Sequence, residues 1–190
     1  MANGGKCIIF SAPSGAGKTT IVQHLLQRDL DLAFSVSATN REKRNYETDG
    51  KDYYFLSTAD FRERIAKGAF VEWEEVYPDQ FYGTLQSEID RIWKAGRHAV
   101  FDVDVVGGLR LKESFEDKAL AVFVRPPSLH ALEVRLNSRR TETKETLQRR
   151  LDKAEREMSF APRFDAVVVN DDLDLACEEA YVLVRDFLSE

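Results

Sequence analysis

A glycine-rich segment near the N-terminus constrains the fold of this chain more than any other part of the sequence. Residues 11–19 read Ser-Ala-Pro-Ser-Gly-Ala-Gly-Lys-Thr; they follow a short apolar run at 6–11 and precede a helical pattern over about 17–28. Glycines allow successive backbone N–H groups to turn inward around phosphate oxygens, and the N-terminus of the following helix adds a partial positive charge. Because the order strand, loop, helix is the context that a Walker A motif requires, the segment predicts a phosphate-binding loop.

Two residues of this loop carry side-chain chemistry. Lys18 is expected to reach the β- and γ-phosphates of a bound nucleoside triphosphate, and the Thr19 hydroxyl is expected to bind Mg²⁺. The alternative is a glycine-rich turn that only starts a helix, but a lysine followed by a threonine would add nothing to such a turn. The motif has one departure, because Ala12 stands at the position of its first glycine.

Strand-like and helix-like segments alternate along most of the chain. This order is typical of an α/β fold with a mostly parallel sheet that is flanked by helices. Two segments, 38–84 and 128–158, depart from the alternation and are candidates for inserted lobes, and the polar stretch 38–51 is expected to be a loop. The predicted strands lie at 6–11, 33–37, 52–56, 70–76, 98–103, 119–124 and 166–169.

Composition narrows the class of protein. A length of 190 residues is typical of one domain that carries lobes. The chain has 27 basic and 33 acidic residues, and the resulting net charge of -6 argues against a broad surface that binds nucleic acid. No stretch approaches the roughly 18 apolar residues of a membrane span. Cys7 and Cys177 have no CxxC partner, so neither a metal site nor a disulfide framework is expected, and a reducing cytoplasm fits best. The helical spacing of apolar residues around Cys177 places that residue in the core.

Two aspartates close a predicted strand. Asp102 and Asp104 stand at the end of the run 98–103. Since the carboxyl edge of a parallel sheet lies beside the phosphate loop in this fold class, Asp102 is a candidate for the Walker B-type carboxylate that holds Mg²⁺ directly or through water. The alternative, a pair of solvated acids at a strand end, stays open.

The first candidate lobe carries cationic and phenolic side chains in one short segment. Arg41 and Arg44 lie close together, and Tyr53 follows a turn at Asp49-Gly50. Two guanidinium groups and a phenol can enclose a phosphate dianion, and they would cancel the repulsion between two polyanions during phosphoryl transfer. A solvated surface loop has a similar composition, so these residues alone leave both interpretations open.

Several short motifs occur in order along residues 6 to about 186, and together they resemble the pattern of one protein family. They are Ser-Ala-Pro-Ser-Gly-Ala-Gly-Lys-Thr, Ser-x-Thr-x-Arg-x-x-Arg, Gly-Lys-Asp-Tyr-x-Phe, Phe-Val-Glu-Trp, Tyr-Gly-Thr, Asp-Val-Asp, Arg-Thr-Glu-Thr and Val-Asn-Asp-Asp. In these motifs the chain resembles the guanylate kinase family. The resemblance implies a P-loop NTPase fold with a core formed by residues 1–36, 85–127 and 159–190, an inserted GMP-binding lobe at 37–84 and a helical lid at 128–158.

The resemblance also implies which residues bind GMP. Guanine presents N1–H and an exocyclic NH₂ side by side, so the carboxylate of Glu72 can accept from both, while a hydroxyl of Thr84 or Ser37 serves O6. Adenine would leave that carboxylate unpaired, and a polar site of this kind rejects the wrong base strongly. The implied residues are Arg41, Arg44, Tyr53 and Tyr82 at the phosphate, Ser37, Glu72 and Thr84 at guanine, and Asp104 on the same side.

For the other nucleotide, the resemblance implies a lid that closes over ATP. Its arginines would stabilise charge on the moving phosphoryl group and expel water, so that ATP is not lost to hydrolysis, although a solvated helix face is the alternative for each of them. Asn170 falls where the family contacts adenine. The implied ATP-binding residues are Ser14, Gly15, Ala16, Gly17, Lys18, Thr19, Thr20, Arg135, Arg139 and Asn170; the implied catalytic residues are Lys18, Arg41, Arg139 and Arg150; the implied metal ligands are Thr19 and Asp102.

The expected enzyme transfers the γ-phosphoryl group of MgATP to GMP or dGMP and gives ADP and GDP or dGDP. Its expected partners are these small nucleotides, with no nucleic acid and no membrane. Two alternatives stay open: a P-loop kinase for another phosphorylated acceptor, which would have no use for Glu72, and a non-catalytic guanylate-kinase-like binding module. The departures from the family pattern lie at Ala12, Thr84, Val106 and Arg140, and none removes a charge that the chemistry needs.

Overall fold

The computed structural model describes residues 4–138 and 144–190 of the chain. Strands and helices alternate along most of these residues. The strands are β1 (Cys7–Ser11), β2 (Leu32–Phe34), β3 (Ala38–Thr39), β4 (Tyr54–Phe55), β5 (Phe70–Tyr77), β6 (Gln80–Leu85), β7 (His98–Val103), β8 (Ala119–Arg125) and β9 (Ala166–Val169). The helices are α1 (Lys18–Leu26), α2 (Thr58–Ala66), α3 (Gln86–Lys94), α4 (Val105–Phe115), α5 (Leu129–Asn137), α6 (Lys144–Met158) and α7 (Leu173–Ser189).

A five-stranded sheet with the order β2-β7-β1-β8-β9 forms the centre of the fold, and every neighbouring pair in it is parallel. The central strand β1 is buried along its whole length, as expected for a parallel sheet that is covered on both faces. Leu25 of α1 and Val184 of α7 share one buried cluster with Ile8, while Ile92 of α3 and Leu111 of α4 share another on the opposite face. The predicted α/β fold, a mostly parallel sheet flanked by helices, is confirmed.

A second, smaller sheet with the order β4-β3-β6-β5 lies within the segment that was a candidate for the first inserted lobe. Strands β3 and β4 are parallel, whereas β6 runs antiparallel to both β3 and β5. The sheet has a small core of its own, with Ala38, Phe61, Phe81 and Leu85 as its buried members. This lobe therefore packs around a buried centre that is separate from those of the central sheet.

One local prediction in the lobe is wrong, and one strand of the central sheet is shorter than predicted. The expected loop over 38–51 begins instead with the short strand β3, in which Thr39 is buried because its hydroxyl donates to the carbonyl oxygen of Phe81 at 2.9 Å. The strand predicted at 33–37 covers Leu32–Phe34, because the backbone N–H of Val36 donates to the carboxylate of Glu88 at 3.0 Å and not to a neighbouring strand. Strands this short carry too few residues to show a hydrophobic period.

Helices α5 and α6 occupy the segment that was expected to be the lid. They pack on each other through Leu132, Leu136 and Ala154. Ser128 caps α5, since its Oγ accepts from the backbone N–H of Ala131 at 3.0 Å. Residues 139–143, which connect the two helices, lie outside the described residues, and with them the predicted lid residue Arg139 and the departure at Arg140.

Both cysteines are buried free thiols. Cys177 is 4% exposed on α7, as its helical spacing predicts, and Cys7 lies in the buried strand β1. Burial raises the pKa of the Cys7 thiol to about 12, which suits an inert packing residue. Over 4–138 and 144–190, every helix is too short or too polar to cross a lipid bilayer.

Candidate active site

The glycine-rich loop connects β1 to α1. Gly15 and Gly17 have φ angles of 92° and 94°, in the left-handed region that glycine adopts without strain. A Cβ at Gly17 would overlap the amide nitrogen of Asn170, which itself donates to the carbonyl oxygen of Ala16 at 2.7 Å. The conformation of the loop therefore depends on its own glycines and on the side chain of Asn170, which follows β9.

This loop borders a cavity of about 430 Å³, here termed the phosphate-loop cavity. The residues predicted to bind ATP from the loop all line it, except Ala16, which is buried beneath it. Asn170 is 4% exposed, and its Oδ1 has no hydrogen-bond partner among the described residues. Lining residues from the loop and the first helix are Ala12, Ser14, Gly15, Gly17, Lys18, Thr19 and Thr20.

Lys18 and Thr19, the first residues of α1, meet the aspartate near the end of β7. Lys18 Nζ lies 2.7 Å from Asp102 Oδ1 and donates to the carbonyl oxygen of Val103 at 2.6 Å. Thr19 Oγ1 donates to Asp102 Oδ2 at 2.6 Å. The parallel pairing of β1 with β7 causes this meeting, because it aligns Phe10 with Asp102 just before both strands end. Asp102 has a side chain that is 16% exposed, so it is not a freely solvated acid.

A second cavity of about 290 Å³, here termed the lobe cavity, lies between the smaller sheet and the end of β7. Asp104 lines both cavities, and its side chain caps α4 by accepting from the backbone N–H of Gly107 at 2.8 Å. Tyr53 and Asp102 also line both. The two cavities therefore adjoin at the carboxyl end of β7. Residues that line the lobe cavity from the smaller sheet and its approach are Ser37, Glu72, Glu74, Val76, Tyr82 and Gly83.

Glu72 and Thr84 form a buried pair beside the lobe cavity. They face each other across β5 and β6, and Thr84 Oγ1 donates to Glu72 Oε1 at 2.8 Å. Glu72 is 9% exposed, and its burial, with a smaller contribution from the negative charge of Asp104, raises the pKa of its carboxyl to about 7. A carboxyl group that accepts one hydrogen bond from a hydroxyl can still accept further hydrogen bonds from a ligand.

Arg41 is bound by Glu47, a residue that no sequence pattern singled out. The two terminal nitrogens of the Arg41 guanidinium donate to the Glu47 carboxylate at 2.7 and 2.5 Å, and its carbon lies 5.0 Å from the ring centroid of Tyr53. The hydrogen bond from Arg41 lowers the pKa of Glu47 to about 2, and the same bond raises the pKa of Arg41. This two-point pairing fixes the orientation of Arg41.

Of the other residues expected at the GMP phosphate, only some lie close together in the structure. The rings of Tyr53 and Tyr82 meet edge to face with centroids 6.0 Å apart. Arg44 is exposed, and its guanidinium donates to the hydroxyl of Tyr46 at 3.0 Å. The structure thus brings Arg41, Tyr53 and Tyr82 together and turns Arg44 toward its neighbour in the same loop.

Helix α6 also lines the phosphate-loop cavity. Arg150 of α6 lines this cavity together with Lys153 and Glu157, which follow it at helical spacing and which sequence reasoning passed over. Burial, as the main cause, raises the pKa of the Glu157 carboxyl. Arg135 of α5 donates to the carbonyl oxygen of Asn170 at 2.9 Å, so it joins the lid to the segment after β9.

Comparison with known proteins places the chain among nucleotide kinases. The guanylate kinase family model matches residues 4–187. The guanylate kinase of Salinibacter ruber is 54% identical over 182 residues, which cover 96% of each chain, and that of Bacteroides fragilis is 50% identical over 183 residues, which cover 96% of this chain and 90% of the other. The crystal structure of guanylate kinase from Anaplasma phagocytophilum has a TM-score of 0.77 at 26% identity and covers 98% of this chain and 87% of that chain. The chain therefore belongs to the guanylate kinase family and is a nucleoside-monophosphate kinase, whose reaction is the phosphorylation of GMP by ATP.

Proposed function

We propose that ATP binds in the phosphate-loop cavity and GMP, or dGMP, in the lobe cavity. The observation that carries this proposal is the wall that the two cavities share, because Tyr53, Asp102 and Asp104 line both. A monophosphate on the lobe side would face the γ-phosphate on the loop side. An oxygen of the GMP phosphate then attacks the γ-phosphorus, the bond to the β,γ-bridging oxygen breaks, and ADP and GDP are the products.

Glu72 is the residue that we assign to guanine recognition. Its carboxylate would accept from N1–H and the exocyclic NH₂ of guanine, and the hydroxyl of Thr84 or Ser37 would serve O6. Support comes from the burial of Glu72 beside the cavity and from the hydroxyl that already contacts it. A buried acceptor left without donors disfavours adenine by orders of magnitude.

Charge cancellation is the main catalytic effect that we propose. The acceptor phosphate is already anionic, so the reaction needs no general base, and its barrier comes largely from repulsion between two polyanions. Arg41, with Tyr53, Tyr82 and Arg44, would hold the GMP phosphate. The residues that we assign to stabilising the transferred group are Lys18, Arg41, Arg139 and Arg150, of which Arg139 lies outside the described residues.

The ATP side offers oxygen ligands that fit Mg²⁺. The Thr19 hydroxyl and the Asp102 carboxylate lie 2.6 Å apart beside the loop, and Mg²⁺ is usually held by one or two protein oxygens together with phosphate oxygens and waters. When bound with ATP, this ion would neutralise phosphate charge. Lys18, which contacts Asp102 in this structure, would turn to the phosphates, and Arg135 and Asn170 would lie toward adenine.

The three-part division of the chain agrees with this assignment. We place the GMP-binding lobe at 37–84 and the lid at 128–158, and the remaining residues form the core. Support comes from the separate sheet of the lobe and from the separate buried clusters of lobe and lid. We also propose a cytoplasmic location, since both cysteines are free and buried.

An acceptor panel tests the proposed substrate. ADP formation would be measured with MgATP and GMP, dGMP, AMP, UMP or a ribose phosphate, and with MgATP alone as the control for hydrolysis. GMP should give the highest kcat/KM. A higher value for AMP, UMP or the sugar phosphate would contradict guanine reading by Glu72, and GMP binding without any turnover would point to a binding module.

A further inference from the structure

Glu74 lines the lobe cavity and has no role in the assignments above. It follows Glu72 by two residues on β5, so the two side chains lie on one face of the strand, and Val76 continues that face along the cavity. Glu75 and Trp73 alternate to the opposite face, where both are exposed. The cavity is thus lined by two carboxyl groups from one strand, of which only Glu72 has been explained.

The strand register places Glu74 opposite Tyr82, two residues along β5 from the guanine end of the proposed GMP site. Glu72 pairs with Thr84, and Glu74 pairs with Tyr82 on the same two strands. The first pair marks the guanine end, while Tyr82 lies beside Arg41 at the phosphate end. Two residues of a strand span about 7 Å. In a nucleotide, the ribose joins the base to the phosphate, so the ribose of a GMP that binds Glu72 through its base and lies toward Arg41 with its phosphate would pass Glu74.

The carboxyl group of Glu74 lacks a full set of hydrogen bonds. Its Oε2 is buried and has no hydrogen-bond partner among the described residues. Burial, and then the negative charge of Asp104, raise the pKa of Glu74, while the positive charges of Arg110 and Lys153 oppose that rise. A buried carboxyl oxygen without a donor costs free energy, and a ligand that supplies the donor recovers it.

We propose that Glu74 reads the ribose of GMP by accepting hydrogen bonds from its 2′- and 3′-hydroxyls and thereby makes the site selective for GMP over dGMP. The inference rests on the placement of GMP in the lobe cavity proposed above. Two neighbouring hydroxyls present two donors to one carboxylate, and acidic residues in dinucleotide-binding folds select ribose through this chemistry. The nucleotide dGMP lacks one of these donors and would leave part of the Glu74 carboxylate unpaired.

The test is the ratio of kcat/KM for GMP to kcat/KM for dGMP. We expect the unaltered enzyme to favour GMP by about tenfold or more, as for one hydrogen bond to a charged group, and Glu74→Ala to bring the ratio close to one. Glu74→Gln should give an intermediate ratio, because its amide oxygen still accepts. Glu75→Ala removes a carboxylate from the opposite face of the same strand and should leave the ratio unchanged.

Glu72→Gln, assayed in parallel, separates this inference from the proposed site. If Glu72→Gln keeps the KM of the unaltered enzyme for GMP, the placement of GMP is wrong and the inference is overturned with it. If Glu72→Gln raises that KM while Glu74→Ala leaves the GMP to dGMP ratio unchanged, the inference alone is overturned. An unaltered enzyme without any preference for GMP also overturns the inference, and circular dichroism of each variant confirms that it has folded.

Discussion

The phosphate-loop cavity and the lobe cavity are built from different parts of the chain. One wall of the phosphate-loop cavity is formed by consecutive residues, among which Gly15 and Gly17 have left-handed backbone angles. The lobe cavity takes its shape from side chains on separate strands, such as Glu72 on β5 and Thr84 on β6. Under the proposed function, main-chain amides of the loop would bind a phosphate chain, while side chains of the lobe cavity would distinguish one base from another because each offers its own donors or acceptors.

The two regions also differ in how they are packed. The central sheet is buried between two large apolar clusters, whereas the smaller sheet has a core of only a few buried residues. In the lobe, polar pairs such as Arg41 with Glu47 and Thr84 with Glu72 supplement that core. We therefore expect the lobe to open at lower free energy than the central sheet, which suits a region that must admit and release a substrate.

The largest expected effect comes from the phosphate-loop cavity. Lys18→Met should lower kcat by about 100- to 1000-fold, because the charge that faces the transferred phosphoryl group is lost. The fold should remain, since Lys18 lies at the edge of the cavity and not in a buried cluster. ADP formation and circular dichroism measure the two quantities. A variant with full activity would remove Lys18 from the mechanism.

In the lobe cavity the expected effect is smaller and is specific to one substrate. Glu72→Gln should lower kcat/KM for GMP by about 10- to 100-fold, because the amide presents an NH₂ group where guanine needs an acceptor, while KM for ATP should change little. Glu75→Gln, on the opposite face of β5, is the matched control and should leave both constants unchanged. Equal losses for both nucleotides would instead point to a structural role for Glu72.

The last expected effect concerns stability without substrate and depends on pH. Burial raises the pKa of Glu72 from 4.5 to about 7. Between these two pH values the folded protein keeps a proton that the unfolded chain has lost. The free energy of unfolding therefore falls as the pH rises from 4.5 through 7. Glu72→Gln removes this penalty and should raise the free energy of unfolding by about 2–3 kcal/mol at pH 8 but by little at pH 4.5. Urea unfolding at both pH values measures it, and an equal gain at both would contradict the burial argument.

Local patterns in the sequence predicted most of the central sheet and the phosphate loop. Short apolar runs predicted β1, β7, β8 and β9, and the parallel order then favoured a position for Asp102 beside the loop, which the structure shows. The smaller sheet was predicted less well. Strands β3 and β6 were not predicted. Strand β3 has only two residues, too few to show a period, and its Thr39 is buried against β6, a strand distant in the sequence, whose Phe81 carbonyl oxygen accepts from the Thr39 hydroxyl.

The partners of the charged side chains could not be predicted in the same way. Glu47, Glu74 and Glu157 look like ordinary surface acids in the sequence, yet Glu47 binds Arg41, Glu74 lines the lobe cavity and Glu157 lines the phosphate-loop cavity. Their roles depend on which distant residues fold against them. A charge in isolation carries no information about that partner.

The sequence by itself determined that the chain has a phosphate loop and an α/β core, because both follow from the conformational preferences of consecutive residues and from hydrophobic periodicity. Only the tertiary structure decided that Glu72 is buried with Thr84 as its hydroxyl partner and that the two cavities adjoin at Asp102 and Asp104. The physical reason is the range of the interactions. Backbone conformation is set over a few residues, whereas desolvation and hydrogen bonding of a side chain are set by whichever segments pack around it.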